Sequence, residues 1–146
     1  MNDPIALLKK DHREVGVMLK ALVMSKPGAR RQTTVKKLDA ALSLHMSIEE
    51  AHIYPLVAKR VDADEAEEAG IEHRLVRGGL ANLEELVAVP GFGAALAMLT
   101  AGIKHHVKEE EQEVFPELKR SLDRGELTEL GDKVAEAKKA ARTSGR

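Results

Sequence analysis

The chain has 146 residues, enough for one domain with a sizeable core, and its 23 basic and 24 acidic residues nearly cancel. With no basic excess and only Tyr54, Phe92 and Phe115 as aromatics, it offers nucleic acid neither an electrostatic face nor a stacking platform. The absence of cysteine excludes disulfides, thiolate zinc sites and iron–sulfur clusters, and removes the side chain most easily damaged by oxidants.

A first helix is predicted where Ile5, Leu8, His12, Val15, Leu19 and Leu22 recur at steps of three and four. Asp3 and Pro4 suit its N-cap and first turn, and Ser25-Lys26-Pro27-Gly28 ends it. The second helix carries Val35, Leu38, Leu42, His45, Glu49, His52 and Leu56, with Pro55 expected to kink or end it within a turn or so. Asp62-Ala63-Asp64-Glu65 reads as a loop and start signal. The third helix shows His73, Val76, Leu80, Leu83 and Val87 before Pro90-Gly91, and the fourth Leu96, Leu99, Ile103, His106, Glu110 and Glu113, with Pro116 as its kink. Leu122 to Gly131 reads as polar and turn-rich, Thr128 to Ala141 as a short terminal helix, and the last few residues as frayed. No strand pattern appears. The predicted fold is all-α: an up-down-up-down four-helix bundle over 1–120, then a polar turn, short helix and tail over 121–146. No run is long enough to span a membrane, and charged residues from Lys9 to Glu14 interrupt any signal-peptide core. A cytoplasmic monomer or weak dimer is the expectation.

One offset superposes the two halves. His12 and His73, His45 and His106, and Glu49 and Glu110 each lie 61 residues apart, as do Val15 and Val76, Leu19 and Leu80, Glu50 and Glu111, and Pro55 and Pro116. The chain therefore reads as a duplicated helical hairpin. His45 and Glu49, four apart, share a helix face, as do His106 and Glu110. These residues occupy seam positions otherwise given to Leu, Ile and Val. Left unsatisfied, six buried polar groups would cost roughly 6–18 kcal/mol, comparable with the whole net stability of a domain at about 5–15 kcal/mol. Bound cations offset that cost and fix the imidazole tautomers. His12, His45, Glu49, His73, His106 and Glu110 are therefore the candidate metal ligands, and two equivalent sets suggest two ions. Imidazole plus carboxylate suits iron, manganese or zinc. A ferritin-like arrangement fits less well, because Glu49-x-x-His52 matches its motif once and Glu110-x-x-Glu113 does not.

The pattern resembles the hemerythrin-like, HHE cation-binding family over residues 5 to 118. The resemblance is carried by Asp11-His12-Arg13, then His45-Met46-Ser47-Ile48-Glu49-Glu50 running to Ile53-Tyr54-Pro55. It recurs as Glu72-His73-Arg74, then His106-Val107-Lys108-Glu109-Glu110-Glu111 running to Val114-Phe115-Pro116. It implies a four-helix bundle holding two oxo- or hydroxo-bridged iron ions, with His12, His45, His73 and His106 as terminal ligands. Glu49 and Glu110 would be carboxylate ligands, at least one of them bridging.

Three departures separate this sequence from the oxygen-carrying hemerythrins. The place of their second histidine on the third helix holds Arg77. Their last carboxylate lies five residues after its histidine, a spacing that His105–Glu110 has, whereas the internal repeat selects His106–Glu110. Fewer histidines leave the site less saturated, which favours redox chemistry on a small oxidant over reversible oxygen carriage. Tyr54 is the candidate local residue: a phenolate ligand, a donor beside the metal, or a hydrophobic plug with its hydroxyl in water. His52 competes for that place or serves as a core or entry histidine. Glu50, Glu109 and Glu111 read as an exposed acidic face able to guide cations inward. The expected function is decomposition of hydrogen peroxide, or peroxide-dependent oxidation of nitric oxide. The alternative is binding or sensing of oxygen, nitric oxide or iron without turnover.

Overall fold

The computed structural model describes residues 2–144, and no strand occurs among them. The Asp3 carboxylate accepts from the Ile5 and Ala6 amides and starts α1 (Pro4–Val23), with Pro4 in the first turn where its missing N–H costs nothing. α2 (Ala29–Ile48) follows Gly28, whose φ of 148° admits only glycine readily. Asp62 caps α4 (Ala63–Glu85) through the Asp64 amide, and α5 (Phe92–Glu109) follows Gly91, again at positive φ. Short connections make sequential helices antiparallel neighbours.

Neither Pro55 nor Pro116 ends its helix. A π-helical turn at Glu49–Ile53 joins α2 to α3 (Tyr54–Arg60), and a second at Glu110–Val114 joins α5 to α6 (Phe115–Ser121). The physical reason is local. Each proline lacks an N–H and its ring crowds the carbonyl four residues back. Widening the preceding turn removes the clash, and the Tyr54 and Phe115 amides bond to the carbonyls of Glu49 and Glu110, five residues back.

The segment expected to be a polar turn and a short helix is instead α7 (Arg124–Thr143), as long as α1. A capping box nucleates it: Asp123 accepts from the Glu126 amide at 2.8 Å, and Glu126 accepts from the Asp123 amide at 3.1 Å. Arg60 adds an ion pair to Glu126. α7 lies against α1, where a Cβ on Gly131 would stand 1.9 Å from the Asn2 carbonyl oxygen. The expected frayed tail falls partly on residues 145–146, outside those described.

The interior is layered. One apolar cluster contains Leu19, Leu38, Leu80, Leu83, Phe92 and Leu99, and a second contains Leu8, Ile53, Val57, Phe115, Leu118 and Val134. Along α1, α4 and the α2 and α5 segments with their π turns, the polar seam residues fall between them: His12 between Leu8 and Val15, His45 and Glu49 between Leu42 and Ile53, His73 between Ala69 and Val76, His106 and Glu110 between Ile103 and Val114. Burying a large aliphatic side chain contributes about 1.5–3 kcal/mol, so the two apolar layers can hold a polar one between them. At the far end, buried Arg31 ties the interhelical loops together. It stacks 4.0 Å over the Phe92 ring and donates to the carbonyls of Ser25 at 2.6 Å and Val87 at 3.2 Å.

Candidate metal centre

The six seam residues converge in two clusters that share their carboxylates: His12, His45, Glu49 and Glu110 in the first, His73, His106, Glu49 and Glu110 in the second. Within each, one ligand atom per residue lies within 4.8 Å of the others. Glu49, His73 and Glu110 are 0%, 0% and 1% exposed, so water does not solvate them. Glu49 Oε1 lies 3.2 Å from His45 Nε2 and 3.1 Å from His73 Nε2. Glu110 places Oε1 3.2 Å from His12 Nε2 and Oε2 3.3 Å from His106 Nε2. Each carboxylate thus faces a histidine from both halves of the chain. The duplication is visible in the rings as well: His12–His45 and His73–His106 both cross edge-on with centroids 4.9 Å apart.

Each of the four seam imidazoles is held from behind. His12 Nδ1 lies 2.7 Å from Glu111, His45 Nδ1 2.8 Å from Asp11, His73 Nδ1 2.7 Å from Glu50 and His106 Nδ1 2.6 Å from Glu72. A carboxylate on Nδ1 leaves Nε2 to face the interior, the orientation a metal-binding histidine requires. Glu50 and Glu111 therefore do more than form the acidic face expected of them, and the roles of Asp11 and Glu72 were missed altogether. The repeat carried a signal for all four, since Asp11 aligns with Glu72 and Glu50 with Glu111, acidic in both copies. Arg77 does not enter the site; it clamps Glu50 through two bonds of 2.8 and 3.0 Å. Half-buried His52 joins neither cluster.

Tyr54 is buried, and its hydroxyl does not reach water. It donates to Glu110 Oε2 at 2.6 Å and lies 3.1 Å from Glu49 Oε1, 3.0 Å from His73 Nε2 and 3.2 Å from His106 Nε2. The π turn explains how it arrives there. Five α-helical steps would turn Tyr54 about 140° away from Glu49, whereas one π turn returns residue five to the face of residue zero. Its repeat partner, Phe115, stacks on His12 with centroids 5.9 Å apart and planes 8° from parallel. The clusters are thus related in layout and different in chemistry. A hydroxyl stands at the centre of one and an aromatic face beside the other. Each π-turn segment also serves the opposite hairpin: Glu50 and Tyr54 act on His73, Glu111 and Phe115 on His12.

The electrostatics are those of a caged charge. For His45, burial favours the neutral ring, but the nearby Glu49 charge and the hydrogen bond to Asp11 outweigh it and raise its pKa to about 10. For His106, burial is likewise outweighed, by Glu110 and Glu49, and its pKa rises to about 11. Burial would raise the Glu49 carboxyl, but the facing histidines hold it well below its ordinary range. Burial, then the charges of Glu49 and Glu110, push the Tyr54 phenol far up. For Asp11, hydrogen bonds with His45 and Lys138 overcome burial and lower its pKa.

The donor set fits a metal ion. His12 Nε2, His45 Nε2, Glu49 Oε2 and Glu110 Oε1 are buried without a hydrogen-bond partner, all of them in residues of the first cluster. Each such atom costs about 1–3 kcal/mol, and a cation satisfies all four at once. Beside them lies a cavity of about 20 Å³ lined by all four histidines and by Val15, Leu42, Met46, Val76, Ile103 and Val107. A family model described as the Hemerythrin HHE cation binding domain matches residues 3–118. No curated protein and no solved structure matches the chain.

Proposed function

Since the chain belongs to the hemerythrin HHE cation-binding family, we propose that it holds two iron ions and uses them to decompose hydrogen peroxide, or to oxidise nitric oxide at the expense of peroxide. His12 and His45 would hold one ion, His73 and His106 the other, with Glu49 and Glu110 shared between them. When bound, such a pair supplies Lewis acidity and one-electron redox cycling.

The observation that carries this reading is the set of four unpartnered buried donor atoms, two of them on histidines that line a cavity of about 20 Å³. That volume has room for a water-sized molecule. Its apolar walls limit water beside the histidines and so strengthen every electrostatic contact there. The chain's own residues do three things. The outer carboxylates fix the imidazole tautomers. Glu49 and Glu110 lie between the two histidine pairs and couple them. The Tyr54 hydroxyl stands within hydrogen-bond reach of four candidate ligand atoms, where it can ligate a ferric ion as phenolate or hand a proton to a departing oxygen. In disproportionation, two molecules of hydrogen peroxide become two of water and one of dioxygen, so no external reductant is needed.

The test is elemental analysis of protein isolated from its source, followed by peroxide addition. The expected result is close to two equivalents of iron and steady dioxygen release, lost in His45→Ala. An adduct that forms and releases without net oxidation would assign the chain to binding or sensing instead.

A further inference from the structure

The four outer carboxylates differ in what holds them in turn. Glu50 is gripped by Arg77 from α4, within the bundle. Glu72 turns its free oxygen toward exposed His105 at 3.5 Å, and Glu111 meets no cation within bonding distance among the described residues. Asp11 is different. Its Oδ2 faces His45 Nδ1, and its Oδ1 pairs with Lys138, a residue of α7 and outside the family match. Both partners are largely shielded, with side chains 17% and 12% exposed.

The placement of Lys138 follows from the packing of α7. Gly131 permits close approach to Asn2, while Leu130 and Val134 enter the apolar cluster with Leu8. Lys138 lies seven residues after Gly131, two helical turns, and so falls on the same stripe facing α1. One helix carries both the anchor and the cation, and the anchor sets the height at which the cation meets Asp11.

We propose that α7 is part of the metal centre: through the Lys138–Asp11–His45 chain, Lys138 is a positioning residue that holds the His45 ring at the first cluster. This rests on the metal-binding reading above. A neutral residue at 138 leaves Asp11 without its second partner, free to turn away from His45 Nδ1. Loss of such an outer partner typically weakens metal binding roughly tenfold to hundredfold. The effect belongs to the first cluster, because His73 and His106 are held by Glu50 and Glu72.

Two measurements on Lys138→Met, with Lys138→Gln as the second substitution, test this. In nitrogen-15 histidine spectra of the metal-free chain, the His45 ring signals shift or broaden while those of His106 stay, and Lys138→Arg restores them. In iron(II) titrations against a competing chelator, one equivalent weakens roughly tenfold to hundredfold and the other holds, again with rescue by arginine. Unchanged His45 signals, or a loss shared equally by both equivalents, overturns the assignment. Wild-type protein that takes no iron, combined with perturbed His45 signals in the variants, sinks the metal reading and upholds the link from Lys138 to His45.

Discussion

At the scale of the residue, Tyr54 and Phe115 decide how the two clusters differ. Tyr54→Phe makes the halves alike, because the repeat already has phenylalanine at the matching place. In the metal-free chain the substitution leaves Glu110 Oε2 without its donor, and denaturant unfolding should show a loss of about 1–3 kcal/mol. In ferric protein a visible phenolate-to-iron band should disappear, and an unchanged spectrum ends the ligand role. A second prediction concerns protons. Folded-state values of about 10 for His45 and about 11 for His106 lie above the ordinary 6.5. Their contribution to folding is then fully present below pH 6.5 and is lost as pH rises through about 10. The metal-free chain should therefore melt at progressively lower temperature from pH 7 toward pH 10, and metal uptake at pH 7 should release protons. A flat melting profile together with proton-neutral uptake contradicts the caged-imidazolium picture. The six seam residues were legible in the sequence because a duplication repeats them at one spacing. The repeat also marks the acidic positions behind the rings, but not which ring each one holds. Glu50 and Glu111 sit beside ligand positions on polar helix faces, and their partners, His73 and His12, belong to the opposite hairpin, a relation that helical periodicity within one segment does not contain.

At the scale of the element, the π turns convert an off-stripe position into a site position. Four amphipathic helices and their starts at Asp3 and Asp62 could be read from caps and three–four periodicity. The course of the chain through Pro55 and Pro116 could not, because proline forbids a regular helix without saying which irregular one replaces it. The start of α7 was also misread. Asp123 and Glu126 spell a capping box, but the polar, turn-rich composition of Leu122 to Gly131 favours a turn. Pro55→Ala supplies the missing N–H and allows the turn to tighten toward α geometry, swinging Tyr54 away from Glu110. The expected outcome is a weaker phenolate band with iron content retained; undiminished intensity would show that the proline does not maintain the π turn.

At the scale of the whole molecule, a polar layer lies between two apolar ones, and a bound ion converts its unpartnered donors into contacts. Stripping metal should lower the melting temperature, corresponding to about 2.7 kcal/mol if free metal stood at a hundredfold its dissociation constant. Thermal melts before and after chelation measure this, and identical curves contradict it. The exchange of outer carboxylates and aromatics between hairpins carries a consequence for how such a chain arose. Neither hairpin owns a finished pocket: each backs one of its two rings itself, His45 by Asp11 and His106 by Glu72, and borrows the backing of the other from its sibling. A single such hairpin would have to meet a twin to complete a pocket, and joining the two in one chain lets one copy carry a phenol where the other carries a bare ring.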